Sequence, residues 1–189
     1  MKSHSVLVCV IAMAAAVMCR AQSDDATAVG QSVADLLRES TGADIAFVPA
    51  GAITGDGKTD LASRVQYPTD KLSVLPLTGR QVKLALERGV ALFPTHSPAF
   101  LYVSGLKYSF NSALPPDARV SDVKISGSVL DLAATYKVAM PRNLAKGGLG
   151  FFTIWKRKPE TDTAKDLSLE NLLKGKPVLQ SDPRWQSLS

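Results

Sequence analysis

The chain has 189 residues, of which 46% are hydrophobic and 21% charged, with a formal net charge of +5. These values are ordinary for a globular protein, and the length favours one domain with enough chain for a proper core. Two histidines and two cysteines are too few for most metal-centred or thiol-based chemistry.

The chain opens with Lys2 and an apolar run from Val6 to Met18. The run has the length of a signal-peptide core and is too short for a membrane span. Cys19-Arg20-Ala21 offers small residues at the two positions a signal peptidase reads, so residues 1–21 are expected to be a signal peptide cut after Ala21. The alternative is a lipoprotein with Cys19 first in the mature chain, although Met18 is a poor residue before such a cut. The product is then exported, periplasmic or extracellular, with no membrane span left after cleavage. Cutting after Ala21 removes Cys9, Cys19 and His4, together with the charges of Lys2 and Arg20. The mature chain would have no disulfide, which fits a bacterial envelope. The high pI becomes partly a leader effect, and no nucleic-acid partner is expected.

Val29, Val33, Leu36 and Leu37 share one helical face, and Gly42 is a natural stop. Ile45 to Val48 reads as a buried strand closed by Pro49. Gly51 to Gly57 is a glycine-rich loop, and a short helix is expected from Asp60 to Val65. The loop imitates a phosphate-cradling P-loop, but Ala52 stands where its first glycine belongs. Lys71 to Leu77 reads as a strand. Thr78-Gly79-Arg80-Gln81 looks like a capping box, starting a helix with Val82, Ala85, Leu86 and Val90 on one face that ends near Phe93-Pro94.

Phe100 to Phe110 is the most strand-like stretch, with a phase slip at Ser104-Gly105 that predicts a bulge or bend. Val120–Ile125, Tyr136–Met140 and Phe151–Trp155 are expected as further strands, and Leu169, Leu172 and Leu173 as a last short helix. Lys158 to Asp166 reads as a polar link, and Lys156-Arg157-Lys158 as a strand end in water. The order predicts an α+β (mixed α/β) fold, a mixed sheet covered by helices, in one domain over residues 27–187.

No catalytic residue stands out. His96 lies in the proline-bracketed loop Pro94-Thr95-His96-Ser97-Pro98 and reads as a surface loop residue. A binuclear phosphoesterase centre needs several imidazoles, and no Gly-x-Ser-x-Gly elbow occurs. No metal and no cofactor are assigned.

Several segments in one order resemble the C-terminal domain of the secreted 5′-nucleotidases, a family that includes periplasmic UDP-sugar hydrolases. They are Val33-Ala34-Asp35-Leu36-Leu37, Gly42 to Val48, Leu77-Thr78-Gly79-Arg80-Gln81-Val82, Phe100 to Tyr108, Tyr136-Lys137-Val138-Ala139 and Gly147-Gly148-Leu149-Gly150-Phe151. The resemblance implies a nucleotide-binding domain that the family couples to an N-terminal metallophosphoesterase domain, here expected to be absent. It also implies site residues, several of them replaced. Thr54 stands where the family has a phosphate-holding arginine, and a hydroxyl cannot supply the lost charge or bidentate geometry. Leu149 stands where an aspartate takes the sugar hydroxyls, and Asn143 where an aromatic stacks on the base. The family's Pro-Phe-Gly-Asn becomes Tyr67-Pro68-Thr69-Asp70. Phe100 is the expected survivor of the aromatic sandwich, and Gly147, Gly148 and Gly150 of the ligand loop.

Three functions follow as expectations. The first is a domain of the nucleotide-catabolism family, without catalysis of its own and with degraded nucleotide contacts. The second is an envelope protein-interaction or structural module with a separate protein partner. The third is a residual nucleotide- or nucleoside-binding protein serving a separate catalytic subunit.

Overall fold

The computed structural model describes residues 25–54, 60–156 and 167–188. The expected signal peptide, the tip of the glycine-rich loop and the polar link lie outside these residues. Helix α1 is described over 25–41. It is followed by β1 (Ile45–Pro49), a 3-10 turn (Ala50–Ala52), a second 3-10 turn (Leu61–Arg64), β2 (Leu72–Thr78) and α2 (Gly79–Val90). Then come β3 (Leu101–Ser104), β4 (Leu106–Asn111), β5 (Val120–Ile125), β6 (Ser128–Val129) and β7 (Thr135–Pro141). Helices α3 (Arg142–Ala145), α4 (Phe152–Trp155) and α5 (Leu169–Leu173) precede β8 (Trp185–Leu188).

Among the described residues the strands form two four-stranded sheets where one was expected, in the orders β2-β7-β1-β3 and β6-β5-β4-β8. In the first, β1 runs parallel to β7 and antiparallel to β3, and β2 is antiparallel to β7. This sheet is covered on both faces, which explains why β1 is a continuous apolar run. Ile45 and Phe47 join the core cluster of Val82, Ala85 and Leu86 from α2. Ala46 and Val48 join the cluster of Val29, Val33 and Leu37 from α1. The period-2 alternation of a strand therefore divides one segment between two cores.

The second sheet buries one face. Leu106, Tyr108 and Phe110 of β4 point inward, and Lys107 is exposed. In β5 the buried residues are Val120 and Val123, three apart, and the register slips opposite Lys107–Ser109. Asp122 has φ 51 there, the local bulge that keeps both valines on one face.

The phase slip at Ser104-Gly105 is a change of sheet. Gly105 has φ +81, and a Cβ on it would fall 2.1 Å from the Asp44 carbonyl oxygen. Only glycine lets the chain turn here from β3 in the first sheet to β4 in the second.

The capping box forms as read. Gln81 N donates to Thr78 Oγ1 at 3.3 Å, and Thr78 N donates to Gln81 Oε1 at 3.1 Å. The far end of α2 is held by Arg119, whose Nη1 donates to the carbonyls of Val90, Ala91 and Phe93. These carbonyls lie at and just past the helix end, where no further turn of helix supplies donors. Glu87, 1% exposed, accepts from the backbone N–H groups of Arg119 and Val120 and so fastens β5 to α2.

One element differs in kind. Phe151–Trp155, expected as a strand, is the helical turn α4 over Phe152–Trp155. Phe151 and Trp155 are four apart, both fully buried and stacked with centroids 4.9 Å apart, while Phe152 is 61% exposed. That is helical spacing. Lys156 accordingly follows a helix and not a strand.

Candidate functional site

Because β1 and β7 are parallel, their C-terminal ends leave the sheet at the same edge. The antiparallel β2 starts at that edge, with Leu72 opposite Pro141. Crevices at the carboxyl ends of strands are where open sheets with flanking helices bind ligands. A cleft of about 330 Å³ opens there. Pro49, Gly51 and Ala52 line it after β1, Gln66, Tyr67 and Asp70 before β2, and Asn143, Gly148 and Leu149 after β7.

Local contacts hold these three stretches in place. Gly51 N donates to the Pro98 carbonyl at 2.9 Å and Gln66 N to the Ala52 carbonyl at 2.9 Å. The Asp70 carboxylate accepts from Lys71 N at 2.9 Å and from Asn143 N at 3.1 Å. It thus caps α3 from a distance, satisfying an N–H that the first helical turn leaves free. After α3 the chain turns with positive φ at Gly147, Leu149 and Gly150. The Leu149 carbonyl accepts from Arg88 Nε at 2.8 Å and also from Arg88 Nη2. The Arg88 guanidinium lies 5.4 Å from the Phe151 ring centroid, a cation–π contact. This leaves the Leu149 side chain 40% exposed at the cleft wall.

The cleft has no lysine or arginine in its lining, and its one carboxylate already accepts two backbone hydrogen bonds. Its surface is mainly apolar, with a tyrosine, a glutamine and an asparagine as polar groups. Such a lining suits an uncharged, partly aromatic ligand better than a phosphate.

The structure brings some of the sequence-picked residues together and separates others. Asn143, Gly148 and Leu149 share the cleft. Gly147 lines an adjoining hollow with Asn143, Lys146 and Phe152. The Gly150 carbonyl accepts from Thr153 Oγ1 at 3.2 Å. Thr54 does not line the cleft; its N–H donates to the Arg64 carbonyl at 2.8 Å, and its carbonyl accepts from Arg64 Nε at 3.3 Å. That guanidinium is 3% exposed and ion-paired with Asp25 at 2.5 Å.

Phe100 is elsewhere. It lines a separate cavity of about 530 Å³ with Phe93, Tyr102, His96 and Trp185. Its ring meets those of Tyr102 and Trp185 edge to face at 5.7 and 5.5 Å. The aromatic at the cleft is Tyr67, 50% exposed. Its signal in the sequence was the string Tyr67-Pro68-Thr69-Asp70, noted there only as a departure from the family's Pro-Phe-Gly-Asn and not as a ligand contact.

Among the described residues, no group of three or more His, Cys, Asp and Glu side chains could hold a metal ion. No helix among them is long and apolar enough to cross a membrane.

Comparison with known proteins gives a consistent picture. The family model described as "5'-nucleotidase, C-terminal domain" matches residues 8–157. The chain is 34% identical over 139 residues to the trifunctional nucleotide phosphoesterase protein YfkN of Bacillus subtilis, covering 66% of this chain and 10% of that protein. It is 35% identical over 127 residues to a 5'-nucleotidase-related protein of Glossina morsitans morsitans, covering 59% of this chain and 22% of that one. Among solved structures it is similar to the 5'-nucleotidase precursor of Thermus thermophilus, with a TM-score of 0.70 and 28% identity, over 84% of this chain and 35% of that chain. The chain thus spans a minor part of the length of each of these relatives. The family match begins at residue 8, inside the stretch read as a signal peptide.

Proposed function

Because the chain belongs to the family of 5′-nucleotidase C-terminal domains, we propose that it keeps the family's recognition face with a weakened grip and performs no hydrolysis with its own residues. The observation that carries this reading is the cleft itself. Asn143, Gly148 and Leu149, three family ligand positions, converge on one nucleoside-sized opening that has no cation in its lining. The ligand class is a nucleoside without its phosphate, held by stacking on Tyr67 and by polar contacts from Gln66 and Asn143. Stacking on one ring contributes about 1–3 kcal/mol, so dissociation constants of about millimolar or weaker are expected.

Melting-temperature titrations with adenosine, AMP and UDP-glucose at matched ionic strength test this. A ligand at 100 times its dissociation constant adds about 2.7 kcal/mol. Adenosine is expected to raise the melting temperature at millimolar concentration, with AMP no better. No shift with any of the three sinks the recognition reading, and an AMP preference lost on Asn143→Ala restores a phosphate subsite. Robust phosphatase turnover with added divalent metal would overturn the non-catalytic part.

A second reading, a protein-interaction module, draws on the exposed side chains of Phe152 (61%) and Leu149 (40%) beside the cleft. Chemical crosslinking in the native host, followed by Phe152→Ser, separates the two: an interaction face loses its partner while the nucleoside shift stays. Export, periplasmic or extracellular, is proposed from Lys2 and the apolar run Val6 to Met18. An intact residue 1 on the protein recovered from the host would contradict cleavage after Ala21.

A further inference from the structure

Where the chain passes from β3 to β4, a second hollow of about 450 Å³ opens, sharing no residue with the cleft. Four cationic side chains line it, Arg38 from α1, Lys107 from β4, Lys124 from β5 and Arg184 ahead of β8. Against them stands one carboxylate, Asp35. That carboxylate is committed: Arg184 Nη2 lies 2.6 Å from Oδ2, and Ser104 Oγ donates to Oδ1 at 2.5 Å.

The remaining three cations lack a counter-charge among the described residues. Arg38 uses only Nε, which donates to Ser104 Oγ at 2.9 Å, leaving its two terminal nitrogens without a partner among the described residues. Lys107 and Lys124 are exposed and stand directly opposite each other in the β4–β5 ladder. Like charges in that position repel and destabilise the pair unless something neutralises them. The rim is completed by the Ser126-Gly127 turn, which supplies a hydroxyl.

We propose that this hollow binds a small multivalent anion, a phosphate or phosphate monoester. One guanidinium and two ammonium groups suit a doubly charged, multi-oxygen group, and charge-assisted bonds to phosphate are the strong ones. The proposal stands on residues independent of the nucleoside cleft.

The test is calorimetric titration of the full chain with inorganic phosphate and with glycerol 3-phosphate, against chloride at equal ionic strength. Phosphate is expected to bind where chloride does not. The double variant Lys107→Gln/Lys124→Gln should weaken it about tenfold or more, since hydrogen bonds to charged groups are each worth more than a neutral one. Asn143→Ala, in the cleft, should leave phosphate binding intact. The exposed lysines can be exchanged without touching the core, and equal melting in chloride confirms that the variant is folded. Co-sedimentation with phosphatidic acid vesicles, whose headgroup is a phosphate monoester, against phosphatidylcholine, is the second arm. Lysine-dependent binding to the vesicles alone places the phosphate on a lipid headgroup, and lysine-dependent binding to the soluble esters places it on a free ligand. Binding of neither, binding that the lysine variant retains, or binding that chloride reproduces overturns the proposal.

Discussion

Leu149 concentrates the residue-scale argument. It is a non-glycine residue at φ 56, a conformation that costs most L-residues roughly 1–2 kcal/mol but is tolerated by aspartate. Leu149→Asp should therefore relieve backbone strain and return an acceptor to the cleft. Adenosine is expected to bind at least about tenfold more tightly, in line with about 1.5–3 kcal/mol for a hydrogen bond to a charged group. Unchanged affinity would mean that the cleft wall does not meet the ligand. Tyr102 and Tyr108 give a pH prediction. Burial pushes the Tyr102 phenol from 10.0 up to about 12, and raises Tyr108 as well. The folded state then favours the neutral phenol. Its contribution is complete below pH 10 and is lost as pH rises from there towards 12. Alkaline denaturation should steepen in that window, by about 1.4 kcal/mol per pH unit for each such group. Tyr102→Phe should flatten the slope, and an unchanged slope would contradict burial of that hydroxyl. Sequence reading named Asn143, Gly148 and Leu149 because each stood in a recognisable string. It marked Tyr67 only as part of a replaced string and gave it no ligand role, since a loop aromatic carries no periodicity.

At the element scale the sequence was clearest where a local rule governs. Thr78 and Gln81 form a cap within four residues, and β1 announces itself because both of its faces are buried. Thr78→Ala should cost about 1 kcal/mol in a denaturant titration. Gln81→Ala should cost more, because Gln81 Nε2 also donates to the Ile154 carbonyl at 2.8 Å and ties α2 to α4. Helix α4 was misread because a short apolar run suits either period, and only the partners of Phe151 and Trp155 decide. Strand β8 was not foreseen because Trp185–Leu188 is half-exposed and its partner, β4, lies far away in sequence. Two glycine substitutions test the sheet crossing. Gly127 has φ +86 with nothing within 4 Å of an added Cβ, whereas Gly105 at φ +81 adds the contact with Asp44. Gly127→Ala should cost about 1–2 kcal/mol from the dihedral alone. Gly105→Ala should cost distinctly more, and equal losses would mean that the crossing yields without penalty.

At the scale of the whole molecule, α1 and the tail leading into β8 are fastened by buried polar groups. Gln31, 1% exposed, donates through Nε2 to the Asp182 carbonyl at 3.0 Å and accepts from Arg184 N at 2.9 Å. Ser32 Oγ donates to the Leu179 carbonyl at 3.1 Å and accepts from Leu179 N at 2.9 Å. Gln31→Leu strands these partners, at about 1–3 kcal/mol for each buried group left unpaired. Limited proteolysis should then cut within 179–184 faster than in the parent, and equal rates would show that the tail is held by β8 alone. The parallel pairing of β4 with β8 matters before the molecule is finished. On the ribosome β4 emerges long before its partner, so the Tyr108–Asn111 backbone waits with its hydrogen-bonding groups open. An unpaired strand edge of this kind recruits other chains. Newly made chains are therefore most prone to aggregate in the interval before Trp185–Leu188 appears, after which the open edge is the shorter, four-residue β8.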